Sequence, residues 1–158
     1  MTTLETAVLR TPIGWLTLTA TADALQHIQC SGSRPAHVPA PAKRGTVLTQ
    51  AMHELEGWLA GKQTSFTVPL RLTGTPFQQR VWAALQRVPH GSTLTYGELA
   101  RQVRCRSPRA IGQAVGANPI CIIIPCHRIV ASQGLGGFAF GLPAKRWLLK
   151  HEGIPLPT

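Results

Sequence analysis

The sequence predicts a mixed α/β fold in two parts: a small α/β lobe over residues 1–72 and a mainly helical part over residues 73–158. Three observations carry this. Apolar residues alternate with threonines early in the chain, they recur at helical spacing later, and paired helix-start signals punctuate the second half. In the first part Leu16, Leu18 and Ala20 alternate with Thr17, Thr19 and Thr21, the pattern of a half-buried strand. Turn chemistry at Thr11-Pro12-Ile13-Gly14 precedes it and Asp23 follows it. Ser31 to Gly45, rich in Pro, Gly and Ala, is expected to be a connection. Leu48, Met52, Leu55 and Leu59 then recur at helical spacing, with Gly61 as a stop. Phe66, Val68 and Leu70 alternate again and are expected as one more strand. This part shows no reactive constellation.

The second part is helical and well punctuated. Thr75 can cap a helix, Pro76 suits its first position, and Gln78 completes a capping box. Phe77, Val81, Leu85 and Val88 form its apolar stripe, widened by Trp82, and Pro89-His90-Gly91 ends it. Thr95 and Glu98 form a second capping box, opening a short helix to Val103. After Arg104-Cys105-Arg106, Ser107 caps a third helix that begins at Pro108 and runs to about Gly116. Two short helices joined by a tight turn match helix-turn-helix geometry.

Charge sharpens that reading. The formal net charge is +10, and residues 80–158 hold ten Lys/Arg against two Asp/Glu. A basic half faces a polyanion well, because releasing condensed counterions from phosphates drives binding. Arg101, Arg104, Arg106 and Arg109 crowd the turn and the start of the second helix, where the helix dipole also favours phosphate. Ala110, Gly112 and Ala114 follow, and their small size either lets the helix backbone approach a groove or packs it against a neighbouring helix. No stretch approaches the roughly 18 apolar residues of a membrane span, and the start lacks a secretory layout, so a cytoplasmic protein is expected. The four cysteines are expected to be reduced thiols, and His27 and Cys30 lack a second pair with metal-ligand spacing.

The chemistry converges on Ile124 to Val130, IPCHRIV. Asn118-Pro119 breaks the third helix, and Ile120 to Ile124 reads as a buried extended segment delivering Cys126. A thiolate is a strong nucleophile, and cations beside it lower its pKa. His127 is a candidate base, coupled to Cys126 through a backbone bend or a bridging water. A histidine base works better with an orienting group. The second half offers only two carboxylates; Glu98 is occupied in a cap, which leaves Glu152. Glycines 134, 136, 137 and 141 punctuate the following loop, with Phe138 and Phe140 offering faces on which a base can stack. Together these features indicate chemistry on a nucleobase, which must leave the stack to be reached.

From Thr73 to Gly153 the sequence closely resembles the O6-alkylguanine-DNA alkyltransferases, also called methylated-DNA–protein-cysteine methyltransferases. The resemblance rests on GTPFQQRVW, Tyr96-Gly97, RAIGQAVGANP, IPCHRIV and KRWLLKHEG, in order and at family spacing. It implies a ribonuclease-H-like first lobe and a DNA-binding, alkyl-accepting second domain. Cys126 would take the alkyl group from O6 of a flipped guanine as a stable thioether, once per molecule. His127 would act as base through a water, Glu152 would orient it, and Asn118 would hold the active-site turn. Tyr96 would donate to the base ring. Arg109 would fill the space left by the extruded nucleotide, from a helix with Ala110 and Gly112 lying in the minor groove. Ile129, Phe138 and Ala139 would line the base pocket. The implied partner is double-stranded DNA containing O6-alkylguanine, bound by a monomer, with no cofactor and no metal, since the ligands of zinc-bearing relatives are not evident.

Two other classes fit parts of the pattern. One is a non-catalytic lesion-binding protein, which typically has another residue at the nucleophile position; the other is a helix-turn-helix regulator. The sequence also departs from the family at Phe138, often tyrosine, at Ala139, often serine, and at Phe140, frequently glycine. The bulk of Phe140 is expected to narrow the pocket and favour methyl over benzyl-sized groups. Rates measured with O6-methyl- and O6-benzylguanine should then differ in favour of methyl, and equal rates would contradict the expectation.

Overall fold

The computed structural model describes residues 3–37 and 46–156. The chain divides into two compact units, residues 1–72 and 73–158. In the first, β1 (Glu5–Thr11), β2 (Gly14–Ala20) and β3 (Leu25–Ser31) form an antiparallel sheet in chain order. The hairpin between β1 and β2 turns at Pro12-Ile13, with the Thr11 hydroxyl donating to the Gly14 carbonyl at 2.7 Å. Gly14 has φ +125°, and a Cβ there would meet the Ser31 carbonyl oxygen at 2.7 Å, so a side chain is excluded. Leu16, Leu18 and Ala20 are fully buried, as their alternation predicts. Helix α1 (Val47–Leu59) covers this face through Leu48, Ala51, Leu55 and Trp58, and Gly61 follows with φ +74°. Part of the expected connection, residues 38–45, lies outside the described residues.

The strand expected at Phe66–Leu70 does not form. Only Leu70 bridges to Leu25, flanked by hydrogen bonds from Leu25 N to Pro69 O and from Arg71 N to Leu25 O. The reason is a competing acceptor. The carboxylate of Glu54 takes the backbone N–H groups of Thr67 and Val68, at 2.9 and 3.1 Å, and the Thr67 hydroxyl at 2.7 Å. Pro69 has no N–H to offer a neighbouring strand.

In the second unit the order is α2 (Pro76–Gln86), β4 (Leu94–Thr95), α3 (Tyr96–Gln102), α4 (Pro108–Gly116), a 3-10 turn (Cys126–Arg128), β5 (Ile129–Val130) and α5 (Leu142–His151). The helix starts follow the sequence. Thr75 with Gln78 and Thr95 with Glu98 form reciprocal capping boxes, and Ser107 caps α4 by accepting from Ala110 N. The short strands β4 and β5 run parallel, pairing Leu94 with Ile129 and Thr95 with Val130. Trp82 is buried against α4 and donates from Nε1 to the Ala114 carbonyl at 2.9 Å. Ala114 therefore faces the core, whereas Ala110 is half-buried and Gly112 exposed. Of the three small residues, Ala114 packs against a neighbouring helix.

Replacing Glu54 by Ala leaves two backbone N–H groups without their acceptor. The expected cost is about 2 kcal/mol of stability, read as a lower urea midpoint. An unchanged midpoint would show that the carboxylate does not hold the 66–70 segment.

Candidate active site

The segment before Cys126 is buried but not extended. It reverses: Ile124 N donates back to Ile120 O at 2.9 Å, and Ile122 adopts φ +79°. A β-branched residue there is strained and persists only because its surroundings fix it. Asn118 supplies that fixing from the end of α4. Its Nδ2 donates to the Ile124 carbonyl at 2.7 Å and its Oδ1 accepts from Ile120 N at 3.0 Å, clamping both ends of the turn.

Cys126 then opens the 3-10 turn, and adjacent side chains separate toward different partners. Cys126 is 3% exposed, and it lines a cavity of about 260 Å³ together with Tyr96, Gly112, Val115, Gly116, Gly137, Phe138 and Ala139. That volume lies just under the usual range for small-molecule sites and is lined by a few polar groups among apolar ones. On the other side, His127 is fully buried, and its Nε2 lies 2.6 Å from Glu152 Oε2. Glu152 also accepts from Arg128 Nε at 2.9 Å and from Gly91 N at 2.9 Å, while Arg128 Nη1 donates to the Val88 carbonyl at 2.7 Å.

The electrostatics follow from this packing. Burial opposes the Glu152 charge, yet hydrogen bonds from His127, Arg128 and Gly91 outweigh it and bring the carboxyl down to about 2. An ionised carboxylate only accepts, so the proton of neutral His127 sits on Nε2 and the basic lone pair on Nδ1. Burial pushes His127 below its ordinary value despite Glu152, so the ring is neutral at neutral pH. The Cys126 thiol is held below the ordinary cysteine range, first by a hydrogen bond with Cys121, against burial, then by Asn118 and the positive charge of Lys145. Burial raises Tyr96, partly offset by a hydrogen bond from the Gly137 backbone, so it remains a protonated phenol and a donor. Gly136 permits its approach: at φ +72°, a Cβ there would meet Tyr96 Cε2 at 2.8 Å.

The structure thus brings Cys126, Tyr96, Gly112, Phe138 and Ala139 to one cavity, with His127, Glu152 and Asn118 behind the 126–128 turn. Arg109 is exposed in the first turn of α4 and Ala110 half-buried beside it. Ile129 does not line the cavity; it is fully buried in β5, where pairing with β4 turns it inward. Phe140 is likewise not on the wall. Its ring packs edge-on against Phe138 at 5.5 Å between centroids, so its bulk acts on the cavity only through Phe138.

Sequence reasoning missed four residues. Lys145 is fully buried and its Nζ donates to the carbonyls of Ile129 at 2.6 Å and Gly137 at 2.9 Å, joining β5 to the glycine loop. Burial brings its ammonium down to about 8. Val115 and Gly116 line the cavity, and Arg128 closes the buried ion network. Only the adjacency of a second cation to Cys126 signalled Arg128. Among the described residues, no three His, Cys, Asp or Glu side chains cluster as a metal site would require.

Replacing Glu152 by Ala leaves the buried Arg128 guanidinium without its counter-charge, at an expected cost of about 3–5 kcal/mol. For wild type, Glu152 is depressed in the fold, so its contribution is full above the ordinary glutamate value of 4.5 and lost as pH falls toward about 2. His127, also depressed, adds to acid destabilisation from near 6.5 downward, because the unfolded chain binds that proton more readily. Glu152→Gln should therefore flatten the fall in urea midpoint between those two glutamate values, and an unaltered acid slope would contradict the assignment.

Both units match models of one family. Residues 5–72 match the ribonuclease-like domain of 6-O-methylguanine DNA methyltransferase, and residues 76–154 match its DNA binding domain. A methylated-DNA–protein-cysteine methyltransferase from Methanosarcina acetivorans is 39% identical over 151 residues, covering 93% of this chain and 97% of the relative. One from Mycobacterium tuberculosis (strain H37Rv) is 41% identical over 154 residues, covering 93% and 91%. The crystal structure of the Mycobacterium tuberculosis O6-methylguanine methyltransferase superposes with a TM-score of 0.83 at 38% identity, covering 95% of this chain and 93% of that one. The Mycobacterium tuberculosis OGT in complex with DNA gives 0.82 at 40% identity, covering 94% and 92%. The mixed α/β architecture, with a small sheet first and a helical domain after it, is shared with these structures, and the chain belongs to the 6-O-methylguanine DNA methyltransferase family.

Proposed function

We propose that this chain repairs DNA by transferring an alkyl group, chiefly methyl, from O6 of guanine to its own Cys126, once per molecule. One observation carries the assignment of the acceptor. The buried Cys126 sulfur faces a base-sized cavity walled by α4 and the glycine loop, backed by a neutral histidine on an ionised carboxylate.

In this reading the Cys126 proton passes through a water to His127 Nδ1, because Nε2 is engaged by Glu152. The sulfur attacks the alkyl carbon; a C–S bond forms and the C–O6 bond breaks. Tyr96, held protonated, donates to the base ring so that guanine leaves neutral. The proton taken up by His127 then replaces, through water, the one Tyr96 has given up, so the net change moves one alkyl group to sulfur and one proton from the thiol to guanine. A thioether is not hydrolysed, so the acceptor is spent.

DNA is met by the arginine-rich turn and α4, lying in the minor groove, with exposed Arg109 filling the space of the flipped nucleotide. Phe138 and Ala139 contact the base, and Gly112 lets the helix come close to the cavity mouth. The protein acts as a monomer in the cytoplasm, without a cofactor. Among the described residues, no helix is long and apolar enough to cross a membrane.

After incubation with duplex DNA carrying O6-methylguanine, the peptide containing Cys126 should gain one methylene mass, absent in Cys126→Ala. Lesion-selective binding with an unmodified peptide would instead indicate a non-catalytic lesion binder. Affinity for undamaged duplex should fall steeply with salt, since phosphate contacts supply most of it. A salt-independent affinity would remove the role of the arginine-rich face.

A further inference from the structure

Cys121 takes no step in the reaction above, yet its sulfur lies against that of the proposed acceptor. It is 1% exposed, and its Sγ lies 3.4 Å from that of Cys126. The reversed turn makes this contact. Cys121 bridges to Ile124, and the clamp by Asn118 folds position 121 back against position 126. In the resting thiol, Cys126 donates to Cys121, whose own proton has the Asn118 carbonyl at 3.7 Å. When Cys126 loses its proton, its sulfur is both the closer and the charged acceptor, and the Cys121 S–H turns to it.

We propose that Cys121 is a positioning residue for alkyl transfer: its thiol donates a hydrogen bond to the Cys126 sulfur and holds it ready to react. This rests on Cys126 being the acceptor. A purely apolar side chain would fill the buried space, but only a donor can stabilise the sulfur once its proton has gone. The other titratable or charged groups around Cys126 are Tyr96 from α3, His127 and Arg128 from its own turn, and Lys145 and Glu152 at α5. The Cys121 sulfur touches that of Cys126, and its hydrogen bond lowers the thiol more than Asn118 or the charge of Lys145 does. Cys121 forms no bond to carbon. After transfer its proton faces a neutral thioether, a weaker acceptor.

The test is single-turnover transfer from an O6-methylguanine duplex in reducing buffer, followed across the pH range in which cysteine and lysine titrate. Cys121→Ala should move the rising limb up by about one pH unit, lowering the rate below that limb about tenfold, with the alkaline plateau rejoining wild type. Cys121→Ser, which keeps a donor, should show a limb at or below that of wild type. An unshifted alanine profile overturns the inference, as does a loss equal at every pH. If the alanine variant does not fold, a serine limb shifted upward overturns it as well. A wild-type chain that gains no methyl on Cys126 overturns the acceptor reading itself. An acceptor that reacts with an unshifted alanine profile overturns this inference alone.

Discussion

The carboxylate of Glu152 ties the second unit together. It sits at the C-terminal end of α5 and reaches His127 and Arg128 in the 3-10 turn and the Gly91 N–H in the loop after α2. Through Arg128 the same network extends to the Val88 carbonyl at the end of α2. An ion pair out of water is retained only when nearly every donor and acceptor is matched, and here one carboxylate accepts from three separate groups. The arrangement fixes the histidine tautomer and the direction of the turn with the same atoms. Stability and chemistry are therefore coupled at this residue.

A second constraint acts on the other side of Cys126. Asn118 clamps a turn in which Ile122 is held at positive φ, and Lys145 ties β5 to the glycine loop. These braces place the sulfur at the floor of the cavity while leaving the α4 wall made of Gly112, Val115 and Gly116. Small residues on that wall keep the floor close to the exposed arginine-bearing surface. In the proposed reaction a base would enter the cavity past this wall, and bulk water would be largely excluded once it arrived.

Much of this was legible in the sequence, for local reasons. Capping boxes at Thr75 and Thr95 and the Ser107 cap are short-range codes, and the helices begin at the positions they predict. Glu152 was legible by elimination, because Glu98, the only other carboxylate of the second half, caps α3 by accepting from Thr95 N. What failed was non-local or depended on a specific partner. Phe66–Leu70 alternates like a strand, but Glu54, more than ten residues earlier, takes its N–H groups. Ile120–Ile124 has strand composition, yet the Asn118 amide converts it to a turn. Lys145 reads as an ordinary helix-surface lysine until packing buries it against two carbonyls. The resemblance implied Ile129 on the pocket wall, but it is buried in β5, and Phe140, expected to narrow the pocket by its bulk, packs against Phe138 instead.

The central claim is that the buried Cys126 sulfur ionises more readily than an ordinary thiol because its surroundings supply donors and positive charge. Thiolate absorbance near 240 nm, taken as wild type minus Cys126→Ala while pH is raised, reads that ionisation directly. The account predicts a midpoint below the ordinary cysteine value of 9.0. A midpoint at or above that value would mean that burial governs the sulfur, and the site as described would not activate it.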